Sequence, residues 1–127
     1  MNKRILFVDD DAKVLQALER MLYPLRTEWE MLFVGGASEA LTLLAQHPCD
    51  VIVSDMRMPE MDGAQLLAAV RHKHPQMIRI GLSGQSSQET DLRAIRSAHQ
   101  YLAKPCTPEL LKATLTRMHL LGELVPL

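Results

Sequence analysis

A short apolar run followed by a stretch of helical apolar spacing recurs five times along this chain. That alternation constrains the fold more than any other feature. The first run, Ile5–Val8, ends at Asp9, Asp10 and Asp11. Asp11 is placed to cap the stripe Val14, Leu15, Leu18, Met21 and Leu22, and Pro24 lies just past its end. Trp29–Val34 reads as a second strand, broken by Gly35 and Gly36, with Ser38 as the cap for Ala40, Leu41, Leu44 and Ala45. Val51, Ile52 and Val53 are β-branched and continuous, the pattern of a strand covered on both faces. Leu66, Leu67 and Val70 mark a third helix that ends near His74-Pro75, and Ile78–Leu82 is the fourth strand. Leu92 and Ile95 mark a fourth helix, and Tyr101–Ala103 a short fifth strand. Thr107 caps a fifth helix with Pro108 at its first position and Glu109 near the positive end of its dipole. Leu111, Leu115 and Met118 face inward from it.

Five such units predict an α/β protein with a doubly wound parallel sheet. A length of 127 residues, 47% of them hydrophobic, suits one domain with one self-sufficient core. The formal net charge of −1 gives no overall pull toward nucleic acid or acidic membranes. Cys49 and Cys106 match no metal-ligand spacing and read as packing thiols. The basic start Met1-Asn2-Lys3-Arg4 leads into only four apolar residues before Asp9, too few for a secretory signal. No stretch approaches the roughly twenty apolar residues of a membrane helix. A cytoplasmic protein is expected.

In a doubly wound sheet, ligands bind at the carboxyl ends of the strands, where the strand order reverses. The residues just after each strand should therefore share a site. They are Asp9 and Asp10 after the first strand, and Asp55, preceded by Ser54, after the third. Ser83 follows the fourth strand, and Lys104, before Pro105, the fifth. With strand one central, those four strand ends lie side by side. Each residue has an ordinary reading by itself: helix caps, a turn residue, a loop hydroxyl, a surface lysine. Their joint placement at the ends of one topology favours a shared site.

Three carboxylates brought together would repel, and a hard divalent cation resolves this. Mg²⁺ prefers oxygen donors and is commonly held by one or two carboxylates, waters and phosphate oxygens. A lysine and a hydroxyl opposite suit a phosphoryl group. A carboxylate there can be a nucleophile, forming an aspartyl phosphate.

These residues resemble the receiver domains of two-component response regulators over essentially the whole chain. The matching motifs are Ile-Leu-Phe-Val-Asp-Asp-Asp (5–11), Val-Ile-Val-Ser-Asp-Met-Arg-Met-Pro-Glu-Met-Asp-Gly (51–63), Leu-Ser-Gly (82–84) and Tyr-Leu-Ala-Lys-Pro (101–105). The resemblance implies a flavodoxin-like (βα)5 sheet in the order 2-1-3-4-5. It implies Asp55 as phosphoryl acceptor. Mg²⁺ would be held by Asp10 and Asp55 directly, by Asp9 through water and by the backbone carbonyl of Arg57. Ser83 would hydrogen-bond the phosphoryl group, Lys104 would pair with it, and Tyr101 would be the switch aromatic. Pro59 and Gly63 would shape the loop after the third strand. Ser83 stands where Thr is commoner, and Ala98-His99-Gln100 where the family often has a glycine.

The resemblance further implies a non-enzymatic signalling domain. Its phosphoryl donor would be a sensor histidine kinase or phosphotransfer protein. Its output would run through the face of the fourth helix, fifth strand and fifth helix. The 82–106 stretch is similar to receivers attached to HD-related output domains of HDOD or HD-GYP type. Residues 1–121 are expected to form the receiver. Residues 122–127, with Leu124, Val125 and Leu127, would begin a linker to an output domain, or be buried in a homodimer. The main alternative is a receiver-like interaction module that works without phosphorylation. A haloacid-dehalogenase-type phosphatase would place its nucleophile at Asp9, but Lys13 stands where that motif has Thr or Val. A flavodoxin would need a phosphate loop where this chain has three aspartates.

Overall fold

A computed structural model of the chain describes residues 3–83, 98–103 and 107–124. The elements run β1 (Lys3–Val8), α1 (Ala12–Leu22), a 3-10 turn (Tyr23–Leu25), β2 (Trp29–Val34), α2 (Ala37–Gln46), β3 (Val51–Asp55), α3 (Gly63–Lys73), β4 (Ile78–Ser83), β5 (Gln100–Ala103) and a C-terminal helix (Pro108–Leu124). The expected fourth helix, with Leu92 and Ile95, falls outside the described residues. The five strands form one parallel sheet in the order β2-β1-β3-β4-β5, as expected.

The alternation along each strand sorts side chains into two cores. Ile5 and Phe7 of β1, Val51 and Val53 of β3, and Ile78, Ile80 and Leu82 of β4 meet Leu18 and Leu22 of α1 and Leu111 and Leu115 of the C-terminal helix. Leu6, Val8 and Ile52 point the other way, onto Ala40 and Leu44 of α2 and Leu66, Leu67 and Val70 of α3. β3 is buried at every position, which explains why its apolar run is continuous rather than alternating. Phe7 and Phe33 are register partners and stack with centroids 5.0 Å apart. Burying a side chain of that class contributes about 1.5–3 kcal/mol.

The first strand begins at Lys3, two residues before its apolar run, because Lys3 and Arg4 pair with Trp29 and Glu30 of β2. Asp11 caps α1 as expected, its carboxylate accepting the Lys13 N–H at 2.9 Å. Ser38 does not cap α2. Gly36 takes that position with extended backbone and without a side-chain bond, and its carbonyl accepts the Ala40 N–H at 3.0 Å. Thr107 accepts the Leu110 N–H at 3.2 Å at the head of the C-terminal helix. That helix runs on to Leu124, and residues 125–127 lie outside the described residues. The Met118 side chain lies outside them as well. Cys49 is half-buried, and burial first, then Asp50 and Glu30, pushes its thiol up to about 11 against the opposing pull of Arg4. Cys106 lies outside the described residues. No described helix is long and apolar enough to cross a membrane.

Candidate functional site

The parallel register decides what shares the carboxyl edge of the sheet. Val8 of β1 is paired with Ser54 of β3, so the next residues, Asp9 and Asp55, emerge from adjacent strand ends. Asp55 is paired with Leu82, one residue before Ser83, and Ser83 with Ala103, one residue before Lys104. Asp9, Asp10 and Asp55 each offer a carboxylate oxygen within 4.8 Å of the other two. Asp9 and Asp55 are buried, whereas Asp10 is exposed and opens the cluster to solvent.

Hydrogen bonds fix the Asp9 carboxylate and the main chain around Asp55. The Asp9 N–H donates to the Val34 carbonyl at 3.2 Å, and Asp9 Oδ1 accepts the Asp11 N–H at 2.9 Å. The Ser54 hydroxyl is buried and donates to the Asp55 carbonyl at 2.9 Å. Met56 continues the chain by donating its N–H to the Leu82 carbonyl at 3.2 Å.

The loop from Met56 to Asp62 then returns against β3. Gly63 donates its N–H to the Met56 carbonyl at 3.3 Å. A Cβ at position 63 would come within 2.7 Å of the Met56 Cα and closer still to the Asp55 carbonyl. Only glycine lets α3 begin this near the strand end. Asp62 and Gln65 close a capping box there, the Gln65 N–H reaching Asp62 Oδ1 at 2.8 Å and the Asp62 N–H reaching Gln65 Oε1 at 3.0 Å. Glu60, in the same loop, has φ 66°, a left-handed conformation that costs a non-glycine residue about 1–2 kcal/mol. Arg57, Met56, Met58, Pro59, Asp62 and Asp10 line one open cleft beside the acidic cluster.

Among the described residues, the arrangement offers three carboxylates at close range, two of them buried. That donor set fits a hard divalent cation such as Mg²⁺, and the cluster could hold one. Of the residues expected at the site, Asp9, Asp10 and Asp55 come together and Arg57 borders the same cleft. Ser83 closes β4 and Tyr101 lies in β5 opposite Gly81, but their side chains are outside the described residues, as is all of Lys104. Two features of the loop escaped the reading of the sequence. The Asp62-x-x-Gln65 capping box was legible as a motif, whereas the left-handed Glu60 carries no residue-type mark.

The response regulator receiver domain family model matches residues 5–116. Among solved structures, the signal receiver domain of an HD domain-containing protein from Pseudomonas fluorescens Pf-5 is 33% identical. It superposes with a TM-score of 0.85, covering 92% of this chain and 94% of its own. The hydrogenase transcriptional regulatory protein HoxA of Cupriavidus necator is 36% identical over 107 residues, 83% of this chain and 22% of the relative. Response regulator protein FleR of Pseudomonas aeruginosa is 33% identical over 125 residues, 98% of this chain and 26% of the relative. The chain thus spans about a quarter of the length of these curated relatives. With the family's match running from β1 into the C-terminal helix, on a sheet of the same order and with the acidic cluster at its carboxyl edge, this chain belongs to the response regulator receiver domains of two-component systems.

Proposed function

We propose that Asp55 is the phosphoryl acceptor of this receiver, and that its modification switches the surface through which the domain controls an output. The observation that carries this reading is the close grouping of Asp55 with Asp9 and Asp10 at the ends of adjacent strands. A carboxylate oxygen of Asp55 attacks the phosphorus of a phosphohistidine on a sensor kinase or phosphotransfer protein. The P–N bond breaks, the imidazole leaves with a proton, and Asp55 becomes an acyl phosphate.

Asp10, Asp55 and the Arg57 carbonyl would hold Mg²⁺, with Asp9 joined through water. When bound, the ion supplies positive charge that offsets the repulsion between the carboxylates and the incoming phosphoryl oxygens. Asp9, buried and fixed by the Asp11 N–H, holds its negative charge in place without having to reorganise. Ser83 donates a hydrogen bond to the phosphoryl group and Lys104 pairs with it; in sequence Ser83 follows Leu82, the register partner of Asp55, and Lys104 follows Ala103, the register partner of Ser83. Tyr101 follows Ser83, so the state of Asp55 reaches β5 and the C-terminal helix. The phosphoryl group needs only to interact better with one conformation to shift the population.

Residues 1–121 form the receiver in this reading and 122–127 lead toward an output domain, with a homodimer as the other way to cover the apolar tail. The likeness to the receiver of an HD domain-containing protein supports an HD-related output. The test is ¹⁹F NMR of beryllofluoride, a mimic of the phosphoryl group. A bound signal that needs Mg²⁺ and vanishes in Asp55→Asn supports the reading. A bound signal that survives in Asp55→Asn overturns it.

A further inference from the structure

The opposite end of the sheet holds a second titratable site, formed where β5 first meets β4. Arg79 of β4 turns both of its backbone polar groups toward His99. Its carbonyl accepts the His99 N–H at 2.7 Å, and its N–H donates to His99 Nδ1 at 3.0 Å. The next residue, Gln100, begins β5 and is paired with Ile80. One residue therefore fills, with its main chain and its ring, both hydrogen bonds at the leading end of an edge strand.

We propose that His99 is a proton-sensitive latch, holding the start of β5 against β4 while its ring is neutral and releasing it when the ring takes up a proton.

The chemistry of imidazole requires this coupling. A neutral ring has one acceptor nitrogen, and an imidazolium has none. With Nδ1 accepting from Arg79, the ring hydrogen sits on Nε2. Protonating Nδ1 would set two N–H donors facing one another, so the ring must leave before it can charge. Its surroundings oppose the charge further. The Arg79 guanidinium lies 3.4 Å from Nε2, and donor faces donor there, so that contact places a cation against the ring rather than adding a hydrogen bond. Arg79 is buried, and its Nη1 donates to the carbonyls of Pro75 and Met77 at 3.2 and 3.1 Å, which ties the guanidinium in place. Among the described residues, the charged groups acting on His99 are Arg79 of β4 and Arg71 of the last turn of α3. Burial first, then Arg79 and Arg71, lowers the His99 pKa below its ordinary 6.5.

The direction of the effect follows from that lowering. A released His99 titrates near 6.5 and a latched one below it. The latch is at full strength above 6.5 and weakens as pH falls through the window down to the folded value. β5 carries Tyr101 and leads to Lys104, so a proton taken up here would loosen that strand from the end remote from Asp55. The proposal does not depend on Asp55 being phosphorylated.

Amide hydrogen exchange by NMR on the full chain tests it, between about pH 7.5 and pH 5, where histidine titrates. Wild type is compared with His99→Asn, whose amide oxygen can replace Nδ1 as acceptor but does not titrate, and with His99→Ala. The readouts are the amides of Arg79 and residue 99, with Phe7 and Val53 as reporters of the whole fold. Exchange at Arg79 in wild type, taken relative to His99→Asn at each pH, should rise as pH falls below 6.5, by no more than about tenfold per pH unit and levelling off once the latched ring itself titrates, while Phe7 and Val53 stay protected. His99→Ala should exchange fast at Arg79 at every pH. A wild-type to His99→Asn ratio that stays flat would overturn the latch. So would a rise shared equally by Phe7 and Val53, or His99→Ala protection equal to that of wild type.

Discussion

Asp9 and Asp55 stand side by side because Val8 and Ser54, the residues before them, are register partners in adjacent parallel strands. Both carboxylates are almost fully buried, and exposed Asp10 completes the cluster. A register slip of one residue would turn one of them to the other face of the sheet. The two core clusters, which claim Ile5 and Phe7 on one side and Leu6 and Val8 on the other, oppose that slip. The packing of the core and the geometry of the site are thus one constraint.

Relieving the repulsion in this cluster should stabilise the metal-free protein. Asp9→Asn keeps an oxygen for the Asp11 N–H and removes a buried charge. In chelator, its melting temperature should exceed that of wild type. Adding Mg²⁺ at a hundred times its Kd should stabilise wild type by about 2.7 kcal/mol and the variant by less. Thermal melts with and without Mg²⁺ check both statements, and a variant less stable than wild type in chelator would count against the repulsion.

Gly63→Ala should be costly although the substitution adds one methyl group. The new Cβ would meet backbone, which cannot rotate away as a side chain can. Either α3 or the Met56–Asp62 loop must shift, at a cost of about 1–3 kcal/mol, the range for overpacking. Urea denaturation should show this loss. The shift is transmitted to the Asp55 carbonyl, so beryllofluoride affinity should fall as well.

Glu60→Gly should act in the opposite sense. Relief of the left-handed backbone is worth about 1–2 kcal/mol, partly offset by about 0.4–1 kcal/mol of extra freedom in the unfolded chain. A net gain of about 0.5–1 kcal/mol in urea denaturation is expected. A loss would mean that the side chain of Glu60 contributes more than its conformation costs.

Cys49 should react slowly with thiol reagents. Its pKa of about 11 against an ordinary 9.0 leaves about a hundredfold less thiolate near neutral pH. In a Cys106→Ser background, alkylation by iodoacetamide should approach the rate of a free thiol only when urea unfolds the chain. Fast labelling in the native state would contradict the packing.

Much of this was legible in the residues. The unbroken Val51-Ile52-Val53 run marked a strand covered on both faces, and β3 is buried throughout. Asp11 was legible as a cap because its carboxylate needs only a local N–H, which Lys13 provides. Ser38 misled because Gly36 had already taken extended backbone and begun α2 two residues earlier. The pairing of His99 with Arg79 could not be read from residue types, since it joins positions 20 apart and exists only once β4 and β5 are side by side. The closeness of Gly63 to the Asp55 carbonyl is likewise a product of the folded loop, although the family resemblance did mark Gly63 as shaping that loop.

The most direct test of Asp55 as the acceptor is intact mass spectrometry after incubation with Mg²⁺ and acetyl phosphate, with wild type beside Asp55→Asn. A single phosphoryl adduct on wild type, lost when Mg²⁺ is chelated and absent from Asp55→Asn, is the predicted result. No adduct on wild type, or one of equal yield on Asp55→Asn, would contradict the account and leave the domain as a surface that signals without phosphorylation at this position.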